Sequence, residues 1–304
     1  MKRLSVVRSG LSLAALAVLS ATVFTWPGQA AQAGSAAACN LGIQSVNTAG
    51  DQPGNTVEAS TPPSMRSTGI TDGVYQPGQV RLSTTAVFEP NIAGTDVSSW
   101  VVQGDSLYFS FYATNDLSNK TLQRIGGGWT NFTALEIAQY DEGPDGSAHH
   151  SLAYGLRNDG TLFRWNVAGG TWRAAGSAAG FASVKSMALI SKTSTYDTFL
   201  ANTRGGALYT IRIPVASPMQ PVVKPVRSST WQGFEKLIAG KCGQYGTLLL
   251  GIDKDGQVGY LYAVGHANGT STVINALGKI SGTFPDPVYF RTGVVPYLDP
   301  LNGD

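Results

Sequence analysis

Between Leu152 and Leu189 the chain sets out one order of features. An apolar run is followed by an Asn158-Asp159-Gly160 turn and a short strand, Thr161–Trp165. A Gly-rich turn, Trp172 and Phe181 come next. Weaker copies of that order stand on either side. Trp100–Ala113 is broken by Gln103-Gly104-Asp105 and leads through Gly128-Trp129 to Phe132. Thr198–Ile211 is broken by Arg204-Gly205-Gly206 and leads through Trp231 to Phe234. Thr247–Val264 is broken by Lys254-Asp255-Gly256 and leads to Phe284. The aromatic anchors Phe132, Phe181, Phe234 and Phe284 recur about every 50 residues, as do the turn glycines Gly160, Gly206 and Gly256, and that period marks a propeller-type repeat. A repeat of this length holds several short strands and cannot cover both faces of its own sheet. Neighbours arranged in a ring can cover them. The expectation is an all-β chain, a five-bladed β-propeller built from ~50-residue repeats. A β-sandwich would not predict so regular a return of turn, aromatic strand and anchor. Four repeats are visible. The fifth is expected to combine Val74–Glu89 with another segment near Val294–Leu298.

The first residues read as an export signal. Lys2, Arg3 and Arg8 precede an apolar run, Leu11–Phe24, and Ala31-Gln32-Ala33 is a small-x-small cleavage site. Residues 1–33 are therefore expected to be a secretory signal peptide, and the mature protein to be secreted and extracellular. Residues 34–60, small and polar, read as an extended N-terminal arm, and residues 61–304 as a single propeller domain. Without the three cations of the signal, the 21 Lys and Arg fall to 18 against 19 acidic residues, a mature net charge of −1. No basic patch for nucleic acid is indicated. No later segment is long and apolar enough to anchor in a membrane once the signal is removed. Cys39 and Cys242 are the 2 cysteines, and in an exported chain they are expected to form a disulfide.

The polar motifs carry little chemistry of their own. Asn158-Asp159-Gly160 and Asp253-Lys254-Asp255-Gly256 begin like calcium loops but lack the further oxygen ligands, and Asp-Gly is a strong hairpin turn by conformation alone. Asp141–His150 holds two of the 3 histidines and three acids. Adjacent side chains on an extended segment point to opposite faces, so His149 and His150 are not expected to share a metal. No metal or cofactor is expected. A propeller glycosidase would need a pair of carboxylates at a fixed separation. Glu136 and Glu235 both follow an anchor, which suggests a repeated structural place rather than one active centre. No nucleophile-elbow motif is present.

Asn158-Asp159-Gly160-Thr161-Leu162-Phe163-Arg164-Trp165 resembles the repeat of the tachylectin-like β-propeller lectins. So do the Gly-Trp-x-x-Phe corners at Gly128-Trp129-Thr130-Asn131-Phe132 and Thr230-Trp231-Gln232-Gly233-Phe234. The resemblance covers about Trp100 to Phe290. It implies a five-bladed ring with ligand pockets between or near adjacent blades, and non-catalytic binding of carbohydrate at several places. Trp165 and Trp172 have no clear equivalents in the other repeats, which favours a local surface role. They are expected to stack on sugar, with hydrogen bonds from Asn158 and Asp159. Trp129, Asn131, Trp231 and Gln232 form a second set from the corners. A near-neutral mature chain fits uncharged sugars, N-acetylated ones included. The competing functions are a propeller glycoside hydrolase and a protein-interaction scaffold.

Overall fold

A computed structural model describes residues 39–92, 94–143, 149–168 and 171–304. The expected signal, residues 1–33, lies outside the described residues, as do residues 144–148 of the Asp141–His150 loop.

The chain is all-β. It opens with β1 (Asn40–Val46), β2 (Gln52–Glu58) and β3 (Ser64–Thr71), an antiparallel meander. Asn47 turns the chain between the first two. Its Oδ1 accepts from the backbone N–H of Ala49 at 2.9 Å and of Asp51 at 3.0 Å. Within residues 40–58, β1 and β2 are thus paired strands joined by a tight turn. Their small and polar residues alternate with Leu41, Ile43 and Val57, which are buried. Alternation of this kind puts one face in the core and leaves the other polar.

The second group is β4 (Val80–Ser83), β5 (Ala86–Asn91), β6 (Gly94–Gln103), β7 (Ser106–Ala113) and β8 (Asp116–Gly127). β4 and β5 both pair with β6, and β7 and β8 continue the sheet. The polar run 116–120 belongs to β8, although it reads as loop. β8 is an edge strand, and edges are commonly kept polar.

Three four-stranded antiparallel sheets follow. One holds β9 (Phe132–Asp141), β10 (His149–Arg157), β11 (Leu162–Ala168) and β12 (Thr171–Ala178). Another holds β13 (Val184–Lys192), β14 (Tyr196–Thr203), β15 (Leu208–Pro214) and β16 (Val222–Arg227). The last holds β17 (Lys236–Cys242), β18 (Gly246–Asp253), β19 (Val258–Val264) and β20 (Ile274–Lys279).

The final strand, β21 (Val288–Val294), pairs antiparallel with β1 and parallel with β5. It therefore completes a sheet with β1, β2 and β3. Residues 86–88 do join the C-terminal segment, Phe88 pairing with Val294, while β4 and β5 also pair with β6. The leading strands touch in succession: β4 against β9, β9 against β13, β13 against β17, β17 against β21, and β21 against β4. Apolar clusters fill the spaces between neighbouring sheets. These sheets are consistent with a β-propeller.

The repeat has a backbone explanation. At each step a turn carbonyl accepts from the N–H of a corner aromatic. Asp105 O receives Trp129 N at 3.1 Å, Gly160 O receives Phe181 N at 2.9 Å, Gly206 O receives Trp231 N at 2.9 Å, and Gln257 O receives Phe284 N at 3.0 Å. Phe181 therefore stands in the place of Trp129 and Trp231, not in that of Phe132. Val184 fills the Phe place, because its N–H bonds Phe181 O as Phe132 N–H bonds Trp129 O. The residue before three of these four aromatics has positive φ: Gly128 at 88°, Gly180 at 104° and Thr230 at 81°. Gly160 and Gly206 also have positive φ, whereas in the β18–β19 turn that role falls to Gln257, not Gly256. A Cβ on Gly160 would lie 2.2 Å from Ala182 N, so the turn and the next corner meet too closely for a side chain.

Cys39 and Cys242 are joined in a disulfide across 203 residues, linking the start of β1 to the end of β17.

Candidate functional site

The corner after β8 is held from two sides. From the β6–β7 turn, Asp105 Oδ1 accepts from Thr130 N at 2.9 Å and from Thr130 Oγ1 at 2.6 Å. Its Oδ2 accepts from Gly128 N at 3.1 Å. The Thr130 hydroxyl and these backbone donors hold the Asp105 carboxyl down at about 2. Hydrogen bonds to an ionised carboxylate favour that form. From the other side the Arg81 guanidinium donates to the carbonyls of Gly104 at 3.0 Å and Thr130 at 2.9 Å.

That corner presents Trp129 to the sheet beginning at β9. Trp129, Trp165 on β11 and Trp172 on β12 form a triangle of rings. Their centroids are 5.4 Å (Trp129–Trp165), 5.8 Å (Trp129–Trp172) and 5.6 Å (Trp165–Trp172) apart. Phe132 packs 4.4 Å from Trp129, and Phe163 stacks 5.7 Å from Trp165. The rings border an open cleft of about 330 Å³ between this sheet and the preceding one. Its opposite wall is Arg124, Ile125 and the backbone of Gly126–Gly128, with Thr171 at the rim. Arg124 is exposed, and its Nε donates to Ser106 Oγ at 3.3 Å. Trp172 Nε1–H is buried and has no acceptor among the described residues. A buried donor without a partner costs free energy that a bound acceptor can recover.

Farther along the same inter-sheet space lies a cavity of about 480 Å³, lined by Trp100 and Phe109 with Gln123, Gln139, Ser98 and Ser151. Trp100 lies 6.3 Å from Trp172 and stands between the two spaces. Aromatic faces beside uncharged amides and hydroxyls suit a polyol better than an ion.

The expected site residues divide. Trp129, Trp165 and Trp172 come together, although the first was grouped with the corners and the other two with the Asp-Gly turn. Asn158 and Asp159 do not border the cleft. Asp159 is spent on its own turn, accepting from the Arg157 guanidinium and from Thr161 N, and the arginine holds its carboxyl well below the usual range. The backbone N–H of Asn158 donates to Asn131 O at 2.8 Å, which joins turn to corner. Trp231 is buried against Phe234 and Tyr262 in another part of the molecule. Gln232 covers Gly206, whose Cβ would lie 2.2 Å from Gln232 Oε1. Arg124 and Thr171 were missed. The glycine run beginning at Gly126 was the available signal for a wall that a ligand can approach closely.

The two glutamates weighed as a catalytic pair are committed to the scaffold. Glu136 accepts from Thr85 N and Thr85 Oγ1, both at 3.0 Å, and from its own neighbour Ile137 N at 2.9 Å. Glu235 pairs with Lys185 and accepts from Lys254 N. The two glutamates are not in equivalent places: one lies within β9 and the other precedes β17. His149 is exposed, while His150 Nε2 lies 3.1 Å from the buried Asp197. Among the described residues no group of three or more His, Cys, Asp or Glu is placed to hold a metal.

No protein-family model matches the sequence, and no curated protein matches it. Among solved structures, the chain is similar to a mutant of Aleuria aurantia lectin in complex with Fucα1-6GlcNAc. Identity is 14%, 79% of this chain and 78% of that one are covered, and the TM-score is 0.46. It is also similar to a mutant of AofleA from Arthrobotrys oligospora, at 10% identity, with 79% and 75% covered and a TM-score of 0.45.

Proposed function

We propose that the chain is a secreted, non-catalytic carbohydrate-binding protein built as a five-bladed β-propeller. The convergence of Trp129, Trp165 and Trp172 on one open cleft carries the reading. Aromatic faces stack on the apolar face of a pyranose, and Arg124 and the Trp172 N–H supply polar contacts at its edge. Five leading strands in mutual contact, with an apolar cluster between each pair of sheets, support the blade count. The export pattern at residues 1–33 supports secretion. Uncharged sugars, N-acetylated ones included, fit the near-neutral chain. A glycoside hydrolase would need two carboxylates free to act on a substrate, and Glu136 and Glu235 are each tied to the scaffold.

The test is a glycan array, followed by titration of tryptophan fluorescence with the best glycan and hydrolysis assays on the same sugars. Binding is expected without release of reducing ends. Trp172→Phe should weaken it several-fold by removing one N–H, and Trp165→Ala should abolish it while the protein stays folded. Absence of binding to any glycan, or turnover that disappears when Glu136 or Glu235 is changed to Gln, would overturn the reading.

A further inference from the structure

The beginnings of β4, β9, β13, β17 and β21 surround a second kind of space, a cavity of about 70 Å³ distinct from the aromatic cleft. Its wall carries four cations, Arg81, Lys185, Lys236 and Lys254, against one carboxylate, Glu235. A chain with nearly balanced charge has no compositional reason for such an excess at one point.

Three of the four cations are engaged. Arg81 is bound to the corner carbonyls described above. Lys185 donates to Gln232 O at 2.5 Å and pairs with Glu235. Lys254 donates to Pro287 O. Lys236 is different: among the described residues its ammonium has no hydrogen-bond or ion-pair partner. Burial pushes it below its ordinary value, the charge of Glu136 opposes that, and the charge of Lys254 adds to it. Glu136 lies with Lys236 and Arg291 around the narrower space behind the cavity. Its Oε1 already accepts from Thr85 and Ile137, and Arg291 is taken by Asp299 at 2.8 Å and 2.7 Å. Ser186 Oγ accepts from Leu237 N at 2.9 Å and keeps its own proton to donate.

We propose that this cavity binds a small oxyanion, phosphate or sulfate, either free or as a monoester on a sugar, with Lys236 as its central ligand and Lys185, Lys254 and Ser186 around it. An oxyanion accepts charge-assisted hydrogen bonds from several donors at once and relieves the repulsion among clustered ammonium groups. The volume exceeds the roughly 10–15 Å³ that one water requires, so there is room for a group larger than a single solvent molecule. The cavity is a separate place from the tryptophan cleft, and the proposal stands whether or not that cleft binds sugar.

The experiment titrates the full mature protein with inorganic phosphate, with sodium sulfate and, at matched ionic strength, with sodium chloride, reading melting temperature and heat of binding. Phosphate or sulfate should raise the melting temperature saturably and chloride should not. Lys236→Met should lower anion affinity at least tenfold and Lys254→Gln about threefold to tenfold. Both variants should leave neutral-glycan binding at Trp165 and Trp172 unchanged, which separates this site from the sugar reading. Glucose 6-phosphate that competes with phosphate extends the site to a monoester, and glucose 6-phosphate that does not compete restricts it to the free ion. A response equal for chloride and phosphate, or anion affinity unaltered in Lys254→Gln, would overturn the proposal even if Lys236→Met failed to fold.

Discussion

Asp105 and Thr130 lie 25 residues apart, yet one carboxylate oxygen of Asp105 takes both the backbone N–H and the hydroxyl of Thr130. The pair fixes the corner that carries Trp129. Replacing Asp105 with Ala should therefore cost glycan affinity more than it costs melting temperature, because the loop loosens while the sheets remain. The pH dependence has a definite sign. The folded carboxyl is held at about 2, below its ordinary 3.8. Its contribution is present above the ordinary value and is lost as pH falls through the folded one. Fluorescence titrations with glycan between pH 5 and pH 2 should show binding retained near pH 4 and fading toward pH 2. Asp105→Asn should lack that step, and an identical pH profile in the variant would count against the role of Asp105.

Thr230 occupies the positive-φ place that Gly128 and Gly180 fill in the other corners. A β-branched residue is strained there, whereas glycine is not. Thr230→Gly should stabilise the protein by about 1 kcal/mol, less the entropy glycine gains when unfolded. Urea unfolding would show a higher midpoint with an unchanged slope. A lower midpoint would mean that Thr230 makes a compensating contact.

The disulfide closes a loop of 203 residues between two adjacent sheets. Restricting the unfolded chain over that length stabilises by about 5 kcal/mol in the chain-entropy model. Joint replacement of Cys39 and Cys242 with Ser should lower the unfolding midpoint markedly. It should leave the glycan cleft intact, since neither cysteine borders it. Native protein should resist alkylation until reduced. Two thiols that react without reductant would contradict the pairing.

The strand-turn-strand order, the period and the cysteine pair were legible because each is local or has no competing partner. Register within the repeat was less legible. Phe181 and Phe132 are both anchor aromatics in the sequence, and only the corner hydrogen bonds show that Phe181 takes the tryptophan place and Val184 the phenylalanine place. Residues 40–58 lacked the repeat's markers because their sheet is completed by β21 from the other end of the chain. The site mixed both kinds of signal. Trp165 and Trp172 stood out by lacking equivalents, whereas Asn158 and Asp159 were drawn in by adjacency and face their own turn. The cavity around Lys236 gathers residues from five separate strands, which no spacing rule reaches.

Lys192, at the end of β13, is nearly buried beside Asp299, with Nζ 3.7 Å from the carboxylate. Burial lowers its ammonium from 10.5 to about 8, while Asp299 and Asp197 act to raise it and Arg291 to lower it further. The folded protein thus holds this proton less tightly than the unfolded chain. Where the unfolded state binds more protons, stability rises with pH. The contribution of Lys192 should therefore improve between about pH 8 and pH 10.5, by roughly 2–3 kcal/mol across the window. Lys192→Met removes the buried charge and keeps much of the volume, and Arg291 still satisfies Asp299. The variant should be more stable than the wild type at pH 7, and the gap should close toward pH 10. Paired urea titrations at pH 7, 8.5 and 10 measure that gap directly, cancelling the tyrosine ionisations that both proteins share. A gap that stayed constant across the three pH values would show that Lys192 does not titrate in this range.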